Sequence, residues 1–207
     1  MDPTTAIDAV HREIRDTTRD GRPARMIVAE RTYRAPADDV WDALTNAERI
    51  PRWFMPISGE LRLGGRYQLE GNAGGRITAC EAPSHLAVTW EFGGGVSWVD
   101  VHLLQDGDDT TLRLEHVAFS DDDESRKFWE EFGPGAVGVG WDLAIMALGE
   151  HLATGAAVTE GDQTDPALLD AMRRSSEGWG QAAVDYGTPP DVAEAAAERT
   201  TAFYTGG

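Results

Sequence analysis

Histidine is the residue type in this chain best suited to bind a metal ion, exchange a proton near neutral pH or hydrogen-bond a ligand. Five are present, at positions 11, 85, 102, 116 and 151, and none has the HExxH spacing typical of a zinc site. His102 and His116 belong to neighbouring predicted strands, but strand alternation turns them to opposite faces of the sheet. We therefore expect no metal site.

His116 is predicted to lie on the apolar face of its strand. A buried imidazole must be paired, and the simplest interpretation is a structural hydrogen bond with a neighbouring group. The alternatives are a contact with a bound ligand and a role as general acid or base.

Other catalytic and cofactor-binding patterns are missing from the sequence. We find no carboxylate pair with acid–base spacing, no Ser–His–Asp order and no nucleophile elbow, so no catalytic residue is assigned. The only cysteine, Cys80, excludes an internal disulfide and a cysteine-based zinc site. The stretch 133–138 matches GxGxxG, but a charged helical segment precedes it where a nucleotide-binding fold needs a strand. We expect no cofactor.

The charge of the chain excludes several classes of partner. Its 207 residues include 18 basic and 36 acidic side chains, which give a formal net charge of −18. This charge disfavours binding to nucleic acids and to anionic membranes. The sequence contains no run of about 18 apolar residues. Its N-terminus is polar and acidic, unlike a secretory signal. Together, these features predict a cytoplasmic protein with no membrane partner.

The segments around these residues predict a mixture of helices and antiparallel strands. Three apolar residues at helical spacing predict a helix over residues 4–20. A strand over 25–34 follows, and Pro36 opens a short helix. Glycine-rich turns separate short extended segments over 57–118, which is typical of an antiparallel meander.

The last two predicted strands allow their register to be tested from the sequence. Centring their turn near Gly107 pairs residues whose numbers sum to about 215, so that Val99 faces His116 and Val101 faces Leu114. Alternation then places all four of these side chains on one face.

Helices are predicted after the strands. A charged segment precedes a long helix, 135–153, whose apolar stripe includes Val137, Trp141 and Ile145. The tail, 160–207, is predicted to form two more helices. This order predicts an α+β architecture in which a curved antiparallel sheet grips the long helix and leaves a cavity between them.

Three stretches of the sequence are similar to one protein family. They are RTYRAPADDVWDALTNAERIPRWF, LGGRYQLEGNAGGRITACEAPSHLAVTWEF and GVGWDLAIMALGEHL. Together with the order of elements, they make the chain resemble the START-like SRPBCC superfamily. The resemblance is greatest to the family named for the activator of heat-shock protein 90 ATPase, in its bacterial single-domain form. It implies a helix-grip domain over residues 25–155, with helical extensions at 1–24 and 160–207.

The predicted pocket is apolar and aromatic, and we expect it to bind a small hydrophobic or aromatic molecule. Its residues are predicted to be Trp53, Phe54, Trp90, Val99, Val101, Leu114, His116, Val137, Trp141 and Ile145. The aromatic residues among them are equally suited to fill the core. The terminal extensions are candidates for a homodimer contact.

The resemblance keeps two other function classes open, because this superfamily hosts binders, cyclases, hydrolases and chaperone partners on one scaffold. One alternative is a cyclase- or hydrolase-type enzyme that uses His116 as its acid or base. The other is a chaperone or regulatory partner, as the family name implies. The separate N-terminal domain of the eukaryotic activator has no counterpart here, which argues against chaperone activation.

Overall fold

The structure, a computed structural model, describes residues 2–158 and 164–206. Its strands are β1 (His11–Arg19), β2 (Arg22–Tyr33), β3 (Ile57–Gly59), β4 (Arg66–Leu69), β5 (Gly74–Glu81), β6 (His85–Phe92), β7 (Gly95–Asp106) and β8 (Asp109–Phe119). Its α-helices are α1 (Pro3–Asp8), α2 (Ala37–Thr45), α3 (Asp123–Phe132), α4 (Gly135–Thr154), α5 (Pro166–Tyr186) and α6 (Pro190–Thr205). Residues Ile50–Arg52 form one turn of 3-10 helix.

Within the described residues, the strands form one curved, eight-stranded sheet in the order β1-β2-β8-β7-β6-β5-β4-β3. The neighbouring pairs from β3 to β8 are all antiparallel. With the helices, this sheet makes the α+β helix-grip fold that the sequence predicts.

The chain divides into two compact units that interleave along the sequence. The first unit takes its described residues from 1–29, 119–146 and 160–207, and the second from 30–118 and 147–159. The predicted boundary between the core domain and the C-terminal extension falls partly at 159–163, outside the described residues.

The β7–β8 hairpin has the predicted register. Val99 pairs with His116 and Val101 pairs with Leu114, around a turn in which Gly107 has a φ of 61°. The numbers of these partners sum to 215, so the sequence prediction of register and of the shared face is confirmed.

The predicted helix over residues 4–20 is wrong. Only Pro3–Asp8 is helical, and His11–Arg19 is a strand. The turn that follows explains the difference, because Asp20 and Gly21 have φ values of 53° and 77°. Two left-handed residues in an Asp-Gly pair are typical of a tight hairpin turn, which returns β1 as a strand beside β2.

The C-terminal tail forms two helices, as predicted. Asp165 caps α5, because its Oδ1 accepts a hydrogen bond from the Ala167 N–H at 2.9 Å. The helix ends at Gly187, which has a φ of 113°. Within the first unit α5 packs on α6, α1 and β1. Trp179 on α5 is fully buried, so the tail is part of a packed core.

A membrane span is not supported by any single helix of the described residues, since none is both long and apolar enough. Helices α3 and α4 together have the length and composition of a span, but the pair is bent by 69° at the break between them.

Candidate functional site

The candidate ligand site lies on one face of the sheet in the second unit, which we call the apolar face. Strand pairing brings side chains from β6, β7 and β8 side by side on it. The cross-strand rows are Leu86–Val101–Leu114, Val88–Val99–His116 and Leu103–Leu112. The predicted site residues Val99, Val101, Leu114 and His116 are therefore neighbours, and all four are buried.

His116 is the titratable residue of this face. Only 9% of its surface is exposed, and its Nε2 lies 2.8 Å from the Ser97 Oγ. Burial disfavours the charged imidazolium and lowers the pKa of His116 to about 4. At neutral pH, the face therefore carries an uncharged histidine–serine hydrogen bond.

Aromatic residues border this hydrogen bond. The rings of Trp90 and His116 have centroids 6.3 Å apart. Trp90 and Phe54 are both half-buried, and both pack against one cluster of core residues. That cluster is Tyr67, Leu69 and Ile77. Two of the predicted site residues, Trp90 and Phe54, thus contact the same core cluster.

Trp53 lies next to Phe54, at the corner that follows α2. Its ring stacks on Phe54 with centroids 5.4 Å apart, and its Nε1 donates a hydrogen bond to the Ala43 carbonyl at 2.9 Å. This bond ties the half-buried indole to the end of α2.

The remaining predicted site residues, on α4, belong to the first unit. Ile145 is buried, whereas Val137 and Trp141 are half-buried. Within this unit, the fully buried positions of the helix include Val139 and Asp142 instead. The role of the three predicted residues in ligand binding stays a prediction.

Asp142 forms a buried ion pair that the sequence analysis missed. Its Oδ2 lies 2.8 Å from the Arg12 Nε and 2.7 Å from the Arg12 Nη2. The same oxygen accepts hydrogen bonds from Ser175 Oγ at 2.5 Å and Trp179 Nε1 at 3.2 Å. Among the described residues, the other oxygen, Oδ1, has no hydrogen-bond partner. Burial raises the pKa of Asp142 to about 6, against the opposing effect of these donors.

Glycines create the space for this ion pair. A Cβ on Gly138 would lie 2.2 Å from the Trp179 Cε2, and one on Gly178 would lie 2.8 Å from the Arg12 Nη1. Gly138 is the last glycine of the GxGxxG match, so that motif serves close packing of side chains onto α4. The sequence signal for this ion pair was a single aspartate in an apolar helix. Its partner Arg12 was not recognised, because residues 4–20 were wrongly predicted to form a helix.

A second polar cluster lies on the opposite face of the sheet in the second unit. His85 pairs directly with His102 across β6 and β7, and Asp100 lies two residues before His102. The imidazoles are stacked with centroids 4.5 Å apart, and the His85 Nε2 is 3.0 Å from the Asp100 Oδ1. Each residue offers one ligand atom within 4.8 Å of the other two. The sequence analysis considered His102 only with His116, and so missed this arrangement.

Comparison with known proteins assigns the chain to a family. The sequence model of the family described as "Activator of Hsp90 ATPase homolog 1-like protein" matches residues 34–153. The chain belongs to this family. No curated protein sequence matches it.

Solved structures related to this activator-like chain extend the comparison beyond the residues of the family match. The crystal structure of CalU16 from Micromonospora echinospora is 33% identical, with a TM-score of 0.68, over 84% of this chain and 98% of CalU16. The match to CalU16 therefore includes much of the terminal extensions that lie outside the family match.

More distant structures share the fold. EF2215 from Enterococcus faecalis is 17% identical with a TM-score of 0.58, covering 87% of this chain and 95% of that protein. MLL2253 from Mesorhizobium loti is 23% identical with a TM-score of 0.53, covering 62% of this chain and 97% of that protein. These likenesses support the helix-grip fold of the family.

Proposed function

We propose that this protein binds a small apolar or aromatic molecule on the apolar face of the sheet in the second unit. The observation that carries the proposal is the uncharged His116–Ser97 hydrogen bond, held among apolar side chains next to the half-buried ring of Trp90. Sites for small molecules are mostly apolar, with a few polar groups that orient the ligand. The family is consistent with a ligand-binding scaffold.

Each residue has a defined role in this proposal. Val99, Val101 and Leu114 supply the apolar surface, while Trp90 and Phe54 offer aromatic rings for stacking. His116 and Ser97 supply the hydrogen bond that selects a ligand with one polar group.

Native mass spectrometry of freshly purified protein tests the proposal most directly. A small molecule retained by the chain supports it, whereas a retained protein would favour the chaperone-partner alternative. Titration with the neutral aromatic dye Nile red then gives a dissociation constant that variants can change.

The variant His116→Ala should weaken dye binding by roughly 5- to 150-fold, the equivalent of about 1–3 kcal/mol for an unsatisfied buried partner. The matched control is His11→Ala, which removes an exposed histidine on β1 and should leave the dissociation constant unchanged. Equal affinities for wild type and a folded His116→Ala variant would contradict the proposed site.

A hydrolase is the second candidate, because the 2.8 Å between Ser97 Oγ and His116 Nε2 is suited to a nucleophile and its base. Two observations favour binding over hydrolysis. Ser97 Oγ also donates a hydrogen bond to the Trp90 carbonyl at 3.3 Å, and a pKa of about 4 makes His116 a weak base at neutral pH. Hydrolysis of p-nitrophenyl acetate by wild type and Ser97→Ala separates the candidates, since only a nucleophilic serine predicts a large loss of rate.

A further inference from the structure

We propose that His85, Asp100 and His102 form a binding site for a divalent transition-metal ion, with Zn²⁺ as its simplest occupant. The site lies on the sheet face opposite the apolar face, so it is independent of the proposed ligand site. Two imidazoles and one carboxylate are ligands that such ions prefer.

Strand pairing fixes the three side chains relative to one another. His85 and His102 are direct cross-strand partners, and Asp100 pairs with Ala87, the next residue on the same face of β6. The ligands therefore stand on a hydrogen-bonded hairpin, which holds their backbones at a fixed spacing.

The present contacts are close to those of a metal complex. Two ligands of a tetrahedral zinc ion lie about 3.3 Å apart when each bond is about 2.0–2.1 Å. The His85 Nε2 and the Asp100 Oδ1 are 3.0 Å apart, with the hydrogen-bonding proton where an ion would bind. Bound metal would replace this proton, and the proton would be released to solvent.

One imidazole must turn for both histidines to reach the same ion. Their rings are parallel within 1°, whereas a metal ion lies in the plane of each ring that binds it. His102 is exposed, so its ring is able to rotate without displacing core residues. The three protein ligands would leave one tetrahedral position for water or another small ligand.

The surrounding charges favour a cation. Glu81 pairs with His85 across β5 and β6, and Glu115 pairs with Asp100 across β7 and β8. Arg113, the direct partner of His102 across β7 and β8, donates to the Glu115 Oε1 at 2.7 Å and to the Glu30 Oε2 at 3.4 Å. The negative charges of Glu30, Glu81 and Glu115 together exceed this single positive charge, so the field at the three ligands remains attractive to a metal ion.

Isothermal titration calorimetry of the full, metal-stripped chain with ZnCl₂ at pH 7.5 tests the proposal. Excess MgCl₂ should be present throughout, because Mg²⁺ occupies exposed carboxylates without competing for imidazole. We expect one Zn²⁺ per chain, and a loss of affinity of at least tenfold in both His102→Ala and Asp100→Asn. His11→Ala is the matched control and should bind as wild type does.

Nitrogen-15 spectra of the imidazoles give a second measurement on the wild-type protein. Zn²⁺ should shift the signals of His85 and His102, and leave those of the other three histidines in place. Absence of stoichiometric binding to the wild type would overturn the proposal. Equal affinities for His102→Ala and His11→Ala, or shifts confined to other histidines, would also overturn it.

Discussion

His116 and Asp142 are buried residues whose pKa values are moved in opposite directions by the same cause. Burial disfavours charge, so the pKa of the histidine falls to about 4 and the pKa of the aspartate rises to about 6. Near pH 5, both side chains are therefore uncharged in the folded protein. Their effects on stability oppose each other across this pH range and can be separated by substitution.

His116→Gln should make the protein less sensitive to acid. The imidazole takes up its proton less readily in the folded state, with a pKa of about 4, than at the ordinary value of 6.5. Its contribution to stability is complete above pH 6.5 and is lost as the pH falls toward 4. We expect the wild type to lose about 2 kcal/mol more than the variant between pH 7 and 4.5. Urea unfolding at the two pH values measures this, and equal losses would contradict it.

Asp142→Asn should change the pH dependence in the other direction. The folded state holds the Asp142 proton more tightly, with a pKa of about 6 against the ordinary 3.8. That contribution is complete below pH 3.8 and is lost as the pH rises through 6. The wild type gains this contribution when the pH is lowered from 7 to 5, and the variant does not. We therefore expect the variant's free energy of unfolding to fall about 1 kcal/mol further than that of the wild type over this change. A variant with the wild-type slope would show that Asp142 does not titrate in this range.

At the level of elements, α4 depends on glycine for its packing in the first unit. Gly138→Ala would place a Cβ 2.2 Å from the Trp179 Cε2, a buried ring that cannot move aside. Overpacking should cost about 1–3 kcal/mol, although alanine favours the helix by up to about 1 kcal/mol. Because the 2.2 Å overlap is severe, the cost should lie at the upper end of this range, and thermal unfolding should show a net loss of about 1–2 kcal/mol.

Gly140→Ala is the matched control in the same helix. Its Cβ would lie 3.1 Å from the Tyr204 hydroxyl, which donates to the Ala136 carbonyl at 2.7 Å, and a shift of a few tenths of an ångström relieves this milder overlap. We expect its stability to stay within about 1 kcal/mol of wild type. If both substitutions have the same effect, the contact with Trp179 is not what requires glycine at 138.

Whether a strand could be predicted from the sequence depended on how clearly its turn could be recognised. The β7–β8 hairpin was predicted correctly because one glycine in a polar turn fixed the register of long apolar strands. The β1 strand was missed because Ile7, Val10 and Ile14 fit helical spacing, although only Ile14 lies in β1. Gly21 and Pro23 were interpreted as the stop of that helix, whereas Asp20 and Gly21 form the hairpin turn. A stripe of only three apolar residues does not distinguish a helix from a strand.

Part of the site could have been found by extending one argument. The turn at Gly93–Gly95 pairs residues of β6 and β7 whose numbers sum to about 187, and the same rule that placed His116 would have paired His85 with His102. The contact of Ser97 with His116 is a diagonal one in the β7–β8 register, because Ser97 lies two residues from Val99, the direct partner of His116. The Asp142 ion pair could not be found this way, since its partners come from β1 and α5 and depend on tertiary packing.

For the whole molecule, folding should not depend on metal. The strands that carry His85 and His102 are paired as far as Phe92 and Gly95, so the hairpin is complete without an ion. We expect the metal-stripped chain to unfold cooperatively, and Zn²⁺ at about 100 times its dissociation constant to add about 2.7 kcal/mol. Melting curves with EDTA and with added Zn²⁺ measure both effects. An unfolded metal-free chain would contradict the prediction.

The Asp142 ion pair also has a consequence for how the family diverges. The family match, residues 34–153, contains Asp142 but excludes Arg12, Ser175 and Trp179. A relative that kept the aspartate and the helix covering it, but had an apolar residue in place of Arg12, would bury an uncompensated carboxylate, which is strongly destabilising. The four residues should therefore be gained and lost together during evolution.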